Sequence, residues 1–124
     1  MKRILVIDDE ELVRFSISEI LSSEGYEVVN AENGVQGVAL QKAQPFDIII
    51  TDMIMPEKGG LEIILELRKD FPELKFIAFS GGGRTRDLNY LRLAEVCGVD
   101  LVMTKPFTRN ELIWSVNTCL QKAA

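Results

Sequence analysis

Apolar residues along this chain follow two alternating rhythms. Short continuous runs occupy Arg3–Ile7 and residues 26–29, 47–51, 75–79 and 99–103, and have the length and β-branched content of strands. Between them the spacing becomes helical. Val13, Ile17, Ile20 and Leu21 fall on one helix face, and Gly25 reads as the stop. Asn33 caps a second helix carrying Val35, Val38 and Ala39, which ends before Pro45. Leu61, Ile64 and Leu65 begin a third, closed by Pro72. Asp87 caps a fourth, with Leu88, Leu91 and Ala94 inward and Gly98 at its end. Thr108 and Glu111 form a capping box for a fifth, which carries Leu112, Val116, Cys119 and Leu120 on one face.

Five strands joined by helices pair in parallel through right-handed crossovers. Parallel strands buried on both faces read as unbroken apolar runs. Residues 4–7 and 48–50 do, which places them centrally, whereas Glu27 marks its strand as an edge. The predicted architecture is α/β: a (βα)5 doubly wound parallel sheet in a three-layer α/β/α sandwich. No linker, repeat or low-complexity stretch divides residues 1–124, so a single domain is expected.

Composition narrows the chemistry. A chain of 124 residues can bury a core without disulfides. Its net charge of −5 disfavours nucleic acid or an anionic membrane as a direct partner. Cys97 and Cys119 lack metal or redox spacing and read as buried, reduced thiols of a cytosolic protein. The first apolar run is too short for a signal peptide, and no run is long enough to span a bilayer. The chain has no histidine, which excludes imidazole as its base, nucleophile or metal ligand.

Four polar signals each follow an apolar run: Asp8-Asp9, Asp52, Ser80 and Lys105-Pro106. Each has an ordinary explanation alone. An aspartate of the pair caps the first helix, Asp52 opens a turn, Ser80 starts a glycine loop, and Lys105 is an exposed lysine near a helix start. Together they place charge or hydroxyl at the same end of different strands, where open α/β sheets carry their sites. Clustered carboxylates repel unless a cation sits among them, and hard oxygen ligands suit Mg²⁺. The set fits one reaction. Asp52 attacks phosphorus to form an acyl phosphate. Asp8 and Asp9 hold Mg²⁺, Lys105 supplies fixed positive charge, and Ser80 offers a hydroxyl to the new phosphoryl group.

These residues carry a resemblance. The segment from Ile4 to Glu10, Asp52 through Pro56 with Gly60, Ser80-Gly81 and Lys105-Pro106-Phe107 together resemble the CheY-like receiver domain of two-component response regulators. The resemblance covers essentially the whole chain and implies a flavodoxin-like topology. It implies Asp52 as phospho-acceptor from a phosphohistidine on a sensor kinase or phosphotransfer protein. It implies Mg²⁺ on Asp8, Asp9, Asp52 and the Ile54 main-chain carbonyl, with Ser80 as switch hydroxyl and a cis Lys105-Pro106 peptide. It further implies a downstream effector reached through the fourth helix, fifth strand and fifth helix, with Trp114 a candidate contact. Such a domain turns over only its own phosphoryl group. It stands alone or forms part of a longer regulator.

Three positions depart from that pattern. Val102 stands where an aromatic residue is usual, which argues against an aromatic-flip readout; an inward-packed Val102 would leave backbone movement around Ser80 to carry the signal. Ser80 opens a long loop, Gly81-Gly82-Gly83-Arg84-Thr85-Arg86, which lacks the ending of a nucleotide P-loop and is read as ordering on phosphorylation, with Arg84 or Arg86 toward a partner. Ile54 replaces a polar side chain that could guide water, which predicts a persistent phosphoryl group. Two other readings remain. An aspartate-nucleophile phosphohydrolase would show Asp-x-Asp and a cap, and a flavin module would show a Ser/Thr/Gly-rich loop after the first strand; this chain has Asp8-Asp9-Glu10.

Overall fold

The computed structural model describes residues 2–53, 58–80, 92, 96 and 98–121, with Ser80 described by its backbone only. The elements in chain order are β1 (Arg3–Ile7), α1 (Glu11–Ser23), β2 (Glu27–Ala31), α2 (Gly34–Ala43), β3 (Ile48–Asp52), α3 (Gly60–Asp70), β4 (Lys75–Ser80), β5 (Leu101–Thr104) and α4 (Arg109–Gln121). Here α4 is the fifth helical pattern of the sequence. The fourth pattern (Asp87, Leu88, Leu91, Ala94), the loop 81–86, Cys97 and Ile54 lie outside the described residues.

All described strand pairs are parallel, in the order β2-β1-β3-β4-β5. This is the doubly wound flavodoxin-like order, with β1 and β3 inside and β2 at an edge, as the apolar runs predict. The sheet's two faces carry separate cores. Ile4, Val6, Ile48, Ile50, Ile77, Phe79 and Met103 meet α1 and α4 through Ile17, Leu21, Leu112, Val116 and Cys119. Leu5, Ile7, Ile49 and Phe76 meet α2 and α3 through Val38, Ile63, Ile64 and Leu67. Each fully buried Ile or Leu contributes about 1.5–3 kcal/mol.

Period-2 alternation places the polar groups. Ile4 and Val6 face α1, and so does Asp8, two residues on; Ile48 and Ile50 lead in the same way to Asp52. The β1–β3 register pairs Ile7 with Thr51, so the next step sets Asp8 beside Asp52.

Caps form where the sequence predicts them. Asn33 Oδ1 accepts from the Gln36 N–H at 2.8 Å. Thr108 Oγ1 accepts from the Glu111 N–H at 3.1 Å, and Glu111 Oε1 from the Thr108 N–H at 2.8 Å. Gly25 follows α1 at φ +93°, a left-handed conformation that glycine adopts freely.

Two helices sit in a different phase from the one predicted. In α2 the inward face is Gly34, Gly37, Val38 and Gln41, while Val35 and Ala39 are exposed. Glycine is the reason: a Cβ on Gly37 would lie 2.4 Å from Ile7 Cδ1, so the bare backbone is what lets the helix rest on β1. In α3, Ile63, Ile64 and Leu67 turn inward and Leu65 outward. Five apolar residues between 61 and 67 leave the phase to be set by tertiary packing.

Candidate functional site

Asp8 lies one residue beyond β1 and is fully buried. Its N–H donates to the Ala31 carbonyl at 3.2 Å. Its carbonyl accepts from Arg14 Nη1 at 2.7 Å, and its Oδ1 from the Glu10 N–H at 2.8 Å. Oδ2 accepts from Lys105 Nζ at 3.0 Å. Capping of α1 by an aspartate is therefore excluded: the N-cap position is Glu10, and its side chain makes no capping bond. Asp52 is the last residue of β3, nearly fully buried, and its Oδ2 accepts from Lys105 Nζ at 3.0 Å. It ends a strand rather than opening an exposed turn. Gly60 approaches it closely, since a Cβ there would lie 2.7 Å from the Asp52 carbonyl oxygen.

Lys105 directly follows β5, and the Lys105-Pro106 peptide after it is cis, the geometry that the resemblance implies. Its ammonium reaches Asp8 and Asp52 and also Glu10 Oε1 at 3.3 Å. The same nitrogen stands 4.9 Å from the centre of the Phe79 ring, a cation–π distance. Burial alone works against this ammonium, but the hydrogen bonds from it to Asp52 and Asp8, and their charges, hold Lys105 above its ordinary value. Asp8 moves upward as well. Desolvation by burial outweighs the opposing bonds from the Glu10 N–H and Lys105.

Oxygens of Asp8, Asp9, Glu10 and Asp52 lie within 4.8 Å of one another. This donor set is all-oxygen and anionic, and it fits a hard divalent cation such as Mg²⁺. Asp8 and Asp52 form its buried side and Asp9 and Glu10 its exposed side. The structure thus brings together Asp8, Asp9, Asp52 and Lys105. Ser80 ends β4, and its backbone pairs with Thr104, next to Lys105; its side chain lies outside the described residues, as does Ile54.

Sequence reasoning assigned no role to Glu10, Arg14 or Phe79. Glu10 had a signal, being a third consecutive acid ahead of a helix. Arg14 and Phe79 had none, since each acts through tertiary contact. Val102 is half-buried and, among the described residues, belongs to neither large core cluster. Met103 takes the buried place on β5, and Val102 lines an open groove of about 410 Å³ with Thr104, Phe107 and Trp114. Trp114 is 62% exposed, a surface residue and not a core one.

Comparison with known proteins agrees with this geometry. Residues 4–117 match the family model described as the response regulator receiver domain. The sensor kinase CckA of Brucella abortus is 32% identical over 121 residues, which are 96% of this chain and 12% of that protein. The cell cycle response regulator CtrA of Brucella abortus is 30% identical in an alignment that covers 98% of this chain and 51% of that protein. The chain thus spans about half the length of CtrA and a much smaller part of CckA. Among solved structures, a response regulator receiver domain protein from Clostridium thermocellum superposes with a TM-score of 0.88 at 32% identity, covering 97% of this chain and 94% of that one. The phosphohydrolase alternative is not favoured by these relatives. The sheet order, the acidic pocket crossed by one lysine and the match over residues 4–117 make this chain a member of the response regulator receiver family of two-component signalling.

Proposed function

We propose that residues 1–124 form one receiver domain that accepts a phosphoryl group on Asp52. The observation that carries this reading is the Lys105 ammonium held between two buried carboxylates, Asp8 and Asp52, at 3.0 Å from each. An Asp52 oxygen attacks phosphorus, the P–N bond of a phosphohistidine breaks, and the imidazole leaves with its electron pair. These 124 residues contain no histidine, so the donor phosphohistidine lies outside them, on a sensor histidine kinase or a phosphotransfer protein. Mg²⁺, held by Asp8, Asp9, Asp52 and the Ile54 main-chain carbonyl, would supply positive charge between the two reacting anions. Lys105 carries its fixed charge to a phosphoryl oxygen, and the Ser80 hydroxyl follows the new group.

A protein donor also suits the rim of the site. Leu12 and Phe15 on α1 are 79% and 62% exposed. Leu12 borders a groove of about 500 Å³ floored by Lys105, Pro106 and Phe107. An apolar rim beside an anionic pocket favours a packed macromolecular contact.

The added charge then biases a two-state element and changes the surface offered to an effector protein or domain. The chain works on its own phosphoryl group and not on an external substrate. It acts as a single-domain regulator or as one domain of a longer protein. A cytoplasmic location is part of this reading; the net charge of −5 disfavours direct contact with nucleic acid or an anionic membrane, and no described helix is long and apolar enough to cross a membrane. Incubation with Mg²⁺ and acetyl phosphate, followed by intact mass, should show one added phosphate on the parent and none on Asp52→Asn. Equal labelling of both would overturn the assignment.

A further inference from the structure

An ammonium has three N–H donors, and Lys105 spends all three on carboxylates: Asp8 at 3.0 Å, Asp52 at 3.0 Å and Glu10 at 3.3 Å. A phosphoryl oxygen arriving on Asp52 finds no donor to spare, so one bond must be exchanged. The three partners differ in what release costs. Asp8 is fully buried, with its other oxygen already held by the Glu10 N–H, and an unpaired charge there is costly. Asp52 is the group being modified. The Glu10 side chain is 64% exposed, forms the longest of the three contacts, and returns to water at little expense.

We infer that Glu10 is a positioning residue that occupies the phosphoryl group's place on Lys105 in the resting domain and is displaced when Asp52 is phosphorylated. This rests on the proposed roles of Asp52 and Lys105. Glu10 thereby does two opposing things. It holds the lysine across the site while no phosphoryl group is present. It also opposes entry of an anionic donor, both by its own charge and by the bond that must be given up. The net sign follows from its exposure: holding Lys105 is already ensured by two buried carboxylates, so loss of Glu10 removes mainly the opposition.

The test uses Glu10→Gln and Glu10→Ala in the full chain at saturating Mg²⁺, with acetyl phosphate as donor and intact mass followed over time. Both variants should be phosphorylated roughly threefold to tenfold faster than the parent at low salt, and the gain should shrink at high salt, where the field of an exposed charge is screened. A second readout separates exchange on Lys105 from a general charge effect. The Lys105 side-chain NMR signal should move on Glu10→Gln in the resting domain. In the domain loaded with beryllium fluoride, where the donor has already changed partner, the same substitution should leave the signal unmoved. Equal or slower phosphorylation of both variants, or a Lys105 signal equally sensitive to Glu10 in both states, would overturn the inference while leaving Asp52 as acceptor. If the parent itself gains no phosphate on Asp52, the reading of the whole site fails, and this inference with it.

Discussion

The carboxyl edge of β1 and β3 and the open face of β5 and α4 are built on opposite terms. At the edge, Asp8 and Asp52 are buried, and every polar atom of Asp8 has a partner. On the open face, Val102 and Trp114 line a groove and, among the described residues, belong to no large core cluster. The edge is held rigidly by groups that would rather be hydrated, whereas the face leaves apolar surface that would rather be covered. Chemistry needs preorganised charge, and recognition needs area that can still be buried.

The strongest way to break this contrast is at Lys105. Replacing it with Met should slow phosphorylation of Asp52 by about 100-fold, the usual loss for one preorganised charge donor. Trp114→Ala should leave the same rate unchanged by time-resolved intact mass. Comparable losses in both would mean that the two regions are one.

A smaller effect is expected at Ile54. If its side chain hinders water, Ile54→Asn should speed loss of phosphate from Asp52 several-fold, as followed by the decay of the phosphorylated mass. An unchanged decay would remove the steric explanation.

Asp8 tests whether the edge costs stability. Its folded-state value lies above the ordinary 3.8 because burial disfavours the anion. A carboxyl raised in this way contributes stability below its unfolded value and loses it as pH rises through the folded one. Metal-free Asp8→Asn should therefore unfold a few degrees higher than the parent at neutral pH, and the advantage should vanish in acid. Thermal melts across pH decide this, and a lower neutral midpoint for the variant would contradict it. The smallest change is expected on the open face, where Trp114→Ala should alter stability by no more than ~0.5 kcal/mol in denaturant titrations.

Much of the edge was legible in the sequence because strand termini are marked by abrupt changes of polarity. Asp8, Asp52 and Lys105 each follow an unbroken apolar run, and parallel topology brings such ends together. The phase of α2 was not legible, because the inward-facing residues at 34 and 37 are glycines, which register on no hydrophobic count and show their purpose only against Lys58 and Ile7 respectively. Nor was the contact between Glu10 and Lys105, which joins residues 95 apart and depends on where β5 lands.

The alignment of β1 with β3 has a consequence for how such a domain fails. Asp8 and Asp52 meet only because Ile7 lies opposite Thr51. A slip of one residue would send Asp52 to the far side of the sheet, among the leucines and isoleucines beneath α2 and α3. Apolar runs such as Ile48-Ile49-Ile50 tolerate that slip poorly because both faces are already filled. The isoleucines of the sheet therefore act as a ruler. Their packing decides whether two acids distant in the chain become one pocket, so errors made deep in the core are read out as lost signalling before they are read out as lost structure.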